Sequence, residues 1–438
     1  MLRRLLVDIF FVIALSALAA PLSYAQADGA YSPYSIFAIG DVSRQGTAYN
    51  RTMGGVGIAS RNNRYVNIMN PAAVTARDSL SFMADYTVYG DNKVFSQGGI
   101  KSVNNTFNIN DVVLSFPILS KNMAMMVGIS PFSDTGFEFS YKYTDPDVIG
   151  SIGNISNTST GSGSIYKSFA AVGYTFLKRI SVGAELDYYF GNITKNFTTT
   201  ISDASYNGIK NTIAIQTNAV GGKFGIQYEQ PIGDKVVLGV GATYSTGARM
   251  KGYYTDASYS SGSVAVDTLY YRSDTLSVTK KARIASELGV GITLKRPDKW
   301  MVELDYTRSD WSNSGMENIS GFSAASSPFS TTVAEAYRIG MEFVPNRNDI
   351  RYYFNQVAYR AGAYYKNEYY KLYGKNISSM GITIGATFPV FRWYNGITVG
   401  LELGQRGSLS DNMIREKYIN FSIGVNIFDI WFRKTQYE

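Results

Sequence analysis

Chemistry in this chain has to start from carboxylates. The sequence contains no histidine and no cysteine. A Ser-His hydrolase, a thiol nucleophile and a disulfide are therefore excluded, and the commonest general base is missing. What remains are acidic pairs two residues apart, Glu185/Asp187 and Glu303/Asp305. On a strand, that spacing puts both carboxylates on one face, the raw material for acid/base work on a glycosidic bond. Such pairs are common wherever a strand has a polar face, so they do not by themselves carry a hydrolase assignment. No metal-ligand spacing, phosphate-loop or dinucleotide fingerprint stands out. Gly54-Gly55-Val56-Gly57 has no apolar strand before it and no helix after it, so it is not a nucleotide loop. We therefore expect no enzyme, no cofactor and no metal.

The elements that would position these carboxylates are strands. In Lys235–Ser245, Val236, Leu238, Val240, Ala242 and Tyr244 share one face, and Val237, Gly239, Gly241, Thr243 and Ser245 share the other. This period of two recurs in fourteen segments, at 79–89, 104–118, 122–143, 164–177, 179–200, 211–229, 236–255, 280–296, 299–312, 331–344, 354–366, 379–390, 395–407 and 414–428. Most exceed the roughly 9–11 residues that a tilted strand needs to cross a bilayer. Short connections at 119–121, 178, 230–235, 296–298 and 390–395 alternate with long ones expected at 90–103, 144–163, 255–279, 309–330 and 367–380. The connection at 345–353 is intermediate. An even strand number with alternating short turns and long loops is the pattern of a transmembrane antiparallel β-barrel, closed because lipid tolerates no open sheet edge. A soluble multi-domain β protein would need a second sheet to bury its long apolar faces, and no domain linker is evident.

The first residues agree with export. Arg3 and Arg4 precede an apolar run from Leu5 to Ala20, and Ser23-Tyr24-Ala25 has the small-x-small cleavage pattern, so residues 1–25 read as a signal peptide. The formal charge of +7 is spread without a basic stretch, which argues against nucleic acid. With 34 tyrosines, the chain suits a surface that is part apolar and part wet. The expected organisation is a signal peptide (1–25), an N-terminal hatch or plug (26–78), a barrel (79–430) and a short tail (431–438). The expected location is the outer membrane, in contact with its lipid and lipopolysaccharide, with both chain ends on the periplasmic side. If the apolar faces point to lipid, the lumen receives Glu185, Asp187, Glu287, Glu303, Asp305, Arg338, Glu342, Arg360 and Glu402, a mixed-sign set suited to a packing network.

The weakly periodic stretch before the first strand carries Gly54, Gly55 and Gly57 in "MGGVGIAS", then Asn70-Pro71-Ala72. The third strand, Met126–Tyr143, is interrupted by Pro131 and Gly136, which predicts a bend or bulge. Gly segment, "NPA" and broken third strand together resemble the FadL-like outer-membrane transport proteins, across essentially the whole mature chain. The opening "YSPYSIFAIGDV" and the polar C-terminal tail resemble a Bacteroidota-type subgroup. The resemblance implies a fourteen-stranded barrel with a lumenal hatch and assigns Asn70, Pro71 and Ala72 to the hatch motif. It also implies an inward kink and lateral opening around Gly128, Ser130, Pro131, Phe132, Gly136 and Phe137, and passive uptake of hydrophobic, fatty-acid-like compounds. The alternative it carries is a non-transporting accessory barrel of an outer-membrane protein complex, such as the protein assembly machinery, with other outer-membrane proteins as partners.

Overall fold

A computed structural model of the chain describes residues 31–77, 81–119, 122–203, 205–261, 268–322, 329–390, 395–410 and 413–430. The expected signal peptide and the tail at 431–438 lie outside the described residues.

Fourteen wall strands follow one another round a single antiparallel sheet. They are β1 (Ser81–Gln97), β2 (Ile100–Leu119), β3 (Met123–Lys142), β4 (Ile155–Phe176), β5 (Ile180–Ile201), β6 (Gly208–Ile232), β7 (Val236–Ser245, continued by Lys251–Ser261), β8 (Thr268–Thr275, continued by Glu287–Arg296), β9 (Trp300–Asp310), β10 (Val333–Phe343), β11 (Ala358–Leu372), β12 (Lys375–Pro389), β13 (Gly396–Arg406) and β14 (Arg415–Ile430). Each pairs with its sequence neighbours, and β14 closes on β1 from Ser81↔Ile430 to Ser96↔Arg415. Closure gives most of the ladder amides partners within the wall, which is what a lipid environment demands.

Side-chain alternation sorts the two faces. On β8, Val290 and Ile292 are exposed, whereas on β9 Glu303 and Asp305 are buried between the exposed Val302 and Leu304. The outer face is the apolar one. Tyr306 and Tyr337 meet at a tilt near one rim, and Tyr174 and Phe176 edge to face near the other, as expected of aromatic rings at the two membrane interfaces. Among the described residues no helix is long and apolar enough to cross a membrane.

Two of the expected long loops do not exist. β1 and β2 run on to a two-residue turn at Gly98-Gly99, and β11 and β12 to one at Tyr373-Gly374. All four turn residues have positive φ, the conformation of tight hairpins. The alternation fades there because each face mixes polar with apolar residues, as with Asp91, Lys93 and Phe95 on the inside, while strand pairing continues. Within 144–163, the helix Pro146–Ile152 is followed directly by β4. β7 and β8 likewise carry strand pairing up to Ser261 and from Thr268.

The third strand leaves the regular wall. Its residues Ser130 to Phe137 are buried on both faces. A bulge falls between Pro131 and Ser133 in its ladder with β4, and its ladder with β2 runs only from Val112↔Ile129 to Leu119↔Met123. Proline has no ladder N–H to give, which is the local reason for the break. A slit therefore opens between β2 and β3 in the loop-end half of the wall.

Candidate functional site

Residues 31–77 run through the interior of the ring. Glycines on wall strands all round it make room for their backbone. A Cβ would meet Pro71 and Ala72 at Gly183, Asn70 Oδ1 at Gly225, the Ile58 carbonyl at Gly241, Met53 and Gly54 at Gly362, Thr52 at Gly385 and Ala48 at Gly424. These six glycines belong to six strands. The segment is thus seated on a belt that only glycine provides.

Asn70 is the main stitch of the short-turn half. Its Nδ2 donates to the carbonyl of Ile58 (2.8 Å), and reaches those of Ile226 on β6 (3.3 Å) and Ala242 on β7 (3.4 Å). Its Oδ1 accepts from the Ala72 N–H (3.0 Å) and caps the 3-10 helix Pro71–Thr75. Pro71 fits there because the first helical residue needs no donor. Ala72 is fully buried. Gly54 and Gly55 turn the chain with φ of +71° and +85°, and the Gly54 N–H donates to Thr383 Oγ1 (2.8 Å).

The acidic pair Glu303/Asp305 grips four successive amides. Glu303 accepts from Ala59 (2.8 Å) and Ser60 (3.0 Å), and Asp305 from Gly57 (2.8 Å) and Ile58 (3.1 Å). Glu185 and Asp187 share Lys167 at 3.3 and 3.7 Å. Glu342 pairs with Arg360 (2.8 Å), whose guanidinium lies over the rings of Tyr49 and Tyr65 at 4.8 and 4.6 Å. Glu402 binds Arg44 and the Tyr364 hydroxyl. Arg338 donates to Thr307 (3.1 Å) and, with Glu287, lines the central cavity. These nine residues are thus spread round the inner wall: Glu303, Asp305, Arg360 and Glu402 touch residues 31–77, whereas Asp187, Glu287 and Arg338 line the central cavity.

Two anchors escaped the sequence reading. Arg406 forks onto Asp41 with two 2.8 Å contacts, and also binds Glu416 (2.8 Å) and Ser32. Lys195, fully buried, donates to the carbonyls of Ile36 (2.5 Å) and Ala38 (3.3 Å). Arg406 is in phase with Glu402 along β13, so its inward direction was readable; its partner was not. Burial would raise the Asp41 carboxyl, but the Arg406 guanidinium holds it below the usual aspartate value. Burial pushes the Tyr34 hydroxyl up to about 12.

Above this floor, Tyr34, Phe37 and Ile39 pack with Phe132, Phe322, Trp311, Tyr369 and Tyr370 into an apolar roof at the loop end. Between roof and floor lies a cavity of about 280 Å³, lined by eight basic and nine acidic side chains. At the slit, the N-terminal segment caps the β3 edge. Asp41 and Val42 pair with Asp134 and Ser133, Ser43 N–H donates to the Phe132 carbonyl (2.9 Å), and Ser32 N–H to the Gly136 carbonyl (2.7 Å). Gln45 reaches the Pro131 carbonyl (3.2 Å) and lies 3.4 Å from Ser130 Oγ. Gly128 packs against Phe169, and Phe137 stacks on Phe139 at 5.3 Å.

A family model described as BamG matches residues 1–438, the entire sequence. The chain belongs to the BamG family. No curated protein is significantly similar to this family member in sequence. Solved structures show the same fold. The Pseudomonas putida toluene transporter TodX aligns over 91% of this chain and 100% of its own, with 15% identity and a TM-score of 0.57. The CymD monoaromatic hydrocarbon channel aligns over 87% and 97%, with 14% identity and a TM-score of 0.54. A Pseudomonas aeruginosa FadL homologue aligns over 90% and 100%, with 12% identity and a TM-score of 0.54. At these identities the likeness establishes architecture alone: this BamG-family chain is a fourteen-stranded closed antiparallel β-barrel with the FadL-like fold.

Proposed function

We propose that this barrel works as a non-transporting subunit of an outer-membrane protein complex, with residues 31–77 as a fixed lumenal plug. The observation that carries this is the interior. The segment is seated on a glycine belt, its amides 57–60 are held by Glu303 and Asp305, and its start is held by Arg406. The central space beside it, about 280 Å³, carries charged side chains of both signs among its apolar ones. An apolar compound crossing it would displace water from ion pairs and carboxylates without replacing their hydrogen bonds, a cost of several kcal/mol. A barrel that conducts nothing retains its rims and outer wall as working surfaces, and the BamG family membership supports that use.

Passive uptake of hydrophobic compounds is the second reading. It is favoured by one observation, the slit at Val112/Ile129 beside Pro131, which offers a lateral way out of the wall. Purification from the native outer membrane in mild detergent separates the two. The accessory reading expects a stoichiometric protein partner that survives several steps. Recovery as a lone barrel, together with accelerated uptake of toluene or a long-chain fatty acid into liposomes carrying it, overturns that reading.

A further inference from the structure

We infer that the β2 side of the slit is a docking edge for an extended strand of a partner outer-membrane protein, one with apolar side chains at alternate positions. This inference rests on the accessory reading above.

The two lips of the slit are treated differently. The β3 lip is capped from inside by Ser32, Asp41, Val42 and Ser43. β2 continues for twelve residues beyond the end of its β3 ladder, from Asp111 back to Ile100, paired to β1 on one side. Among the described residues no segment pairs with its other side.

The hairpin fixes which groups face that open side. Gln97 and Ile100 flank the two-residue turn at Gly98-Gly99, so they form a hydrogen-bonded pair. Pairing alternates along an antiparallel ladder. The N–H and C=O groups of Lys101, Val103, Asn105, Phe107 and Ile109 therefore point away from β1, into the slit. The side chains of Val103, Phe107 and Ile109 are 67, 68 and 54% exposed on the outer face. The bulge between Thr87 and Val88 in the β1–β2 register ends this run just where the β3 ladder begins.

Depth decides what can satisfy this edge. Gly90 pairs with both Phe107 and Phe421, and Val88 with both Ile109 and Ile423. Phe107 and Ile109 are thus level with outward apolar residues of β14, inside the hydrocarbon band. Lipid tails offer no hydrogen bonds to a strand edge there. A small apolar ligand offers none either. An added strand supplies alternating N–H and C=O groups at the right spacing, and its outward side chains would continue the row of Val103, Phe107 and Ile109. The capping of the opposite lip by Asp41 and Val42 shows that this break in the wall accepts a strand.

Hydrogen exchange on peptides spanning 100–109 tests the inference, with the full chain in native outer-membrane vesicles compared with the isolated barrel in detergent. The expected result is exchange at least about 100-fold slower in the vesicles for the slit-facing amides 101, 103, 105, 107 and 109, while amides 113–116 are slow in both. Phe107→Pro removes one slit-facing N–H at a position where an edge strand tolerates proline. It should abolish the vesicle protection while the barrel keeps its heat-modifiable migration; Val103→Pro gives the same test nearer the hairpin tip. Equal rates in vesicles and in the isolated barrel, whether fast or slow, overturn the inference. So does a long-chain fatty acid that slows these amides in the isolated barrel, because the slit then belongs to a ligand. A partner that co-purifies while the edge stays unprotected defeats this inference alone. A lone barrel with an unprotected edge defeats it together with the accessory reading.

Discussion

Asn70 shows how one side chain can hold two layers together. Its amide bonds to the interior segment itself at Ile58, to two wall strands, and to the helix it caps, all out of water. Truncation to alanine leaves those carbonyls and an amide short of partners at a cost of about 2 kcal/mol. That corresponds to a roughly 30-fold more frequent opening of the floor. Asn70→Ala should therefore speed hydrogen exchange at residues 71–75 by about that factor and leave the wall amides of β6 unchanged; an unchanged rate at 71–75 removes Asn70 from the anchoring role. The same scale explains the acidic pairs. Glu303 and Asp305, two residues apart, have the arrangement of an acid/base couple, yet each is engaged by two backbone N–H groups. The spacing of the carboxylates was legible in the sequence. That the partner would be main chain from residues 57–60 was not, because backbone amides leave no residue-type signal.

Among the elements, the segment Ser32–Gln45 is the most conditional, since it depends on charge at Asp41. The Asp41 carboxyl is held below its usual value, so its contribution to docking is complete above the ordinary aspartate value of about 4 and is lost as pH falls through the lower, docked value. Limited proteolysis with pepsin should then cut within 32–45 increasingly as pH drops from 5 to 2, and Asp41→Asn should bring that sensitivity to pH 5. Digestion that ignores both pH and substitution counts against an Arg406–Asp41 clasp. Strand existence was readable at this scale from period-two alternation, as in Val236–Tyr244. Strand ends were not. The hairpins closing at Gly98-Gly99 and Tyr373-Gly374 continue where each face mixes polar with apolar residues, so the alternation dies before the pairing does. The break in β3 was announced by Pro131; the strand Asp41–Val42 that fills its inner side was not, because two residues carry no period.

For the whole molecule, residues 31–77 are proposed to stay in place while the barrel serves its partner. The absence of native cysteine makes this directly testable. Val42 and Ser133 are register partners across the short ladder at the slit. Directly opposed antiparallel residues lie about 4.5–5.5 Å apart at Cα, within the span of a disulfide. The double variant Val42→Cys/Ser133→Cys therefore locks the plug to the wall when oxidised and frees it when reduced. The decisive measurement compares oxidised and reduced forms for partner retention from native membranes and for liposome uptake of a long-chain fatty acid. A fixed plug requires equal partner retention in both forms and no uptake above protein-free liposomes in either. Uptake by the reduced form that disappears on oxidation would contradict it.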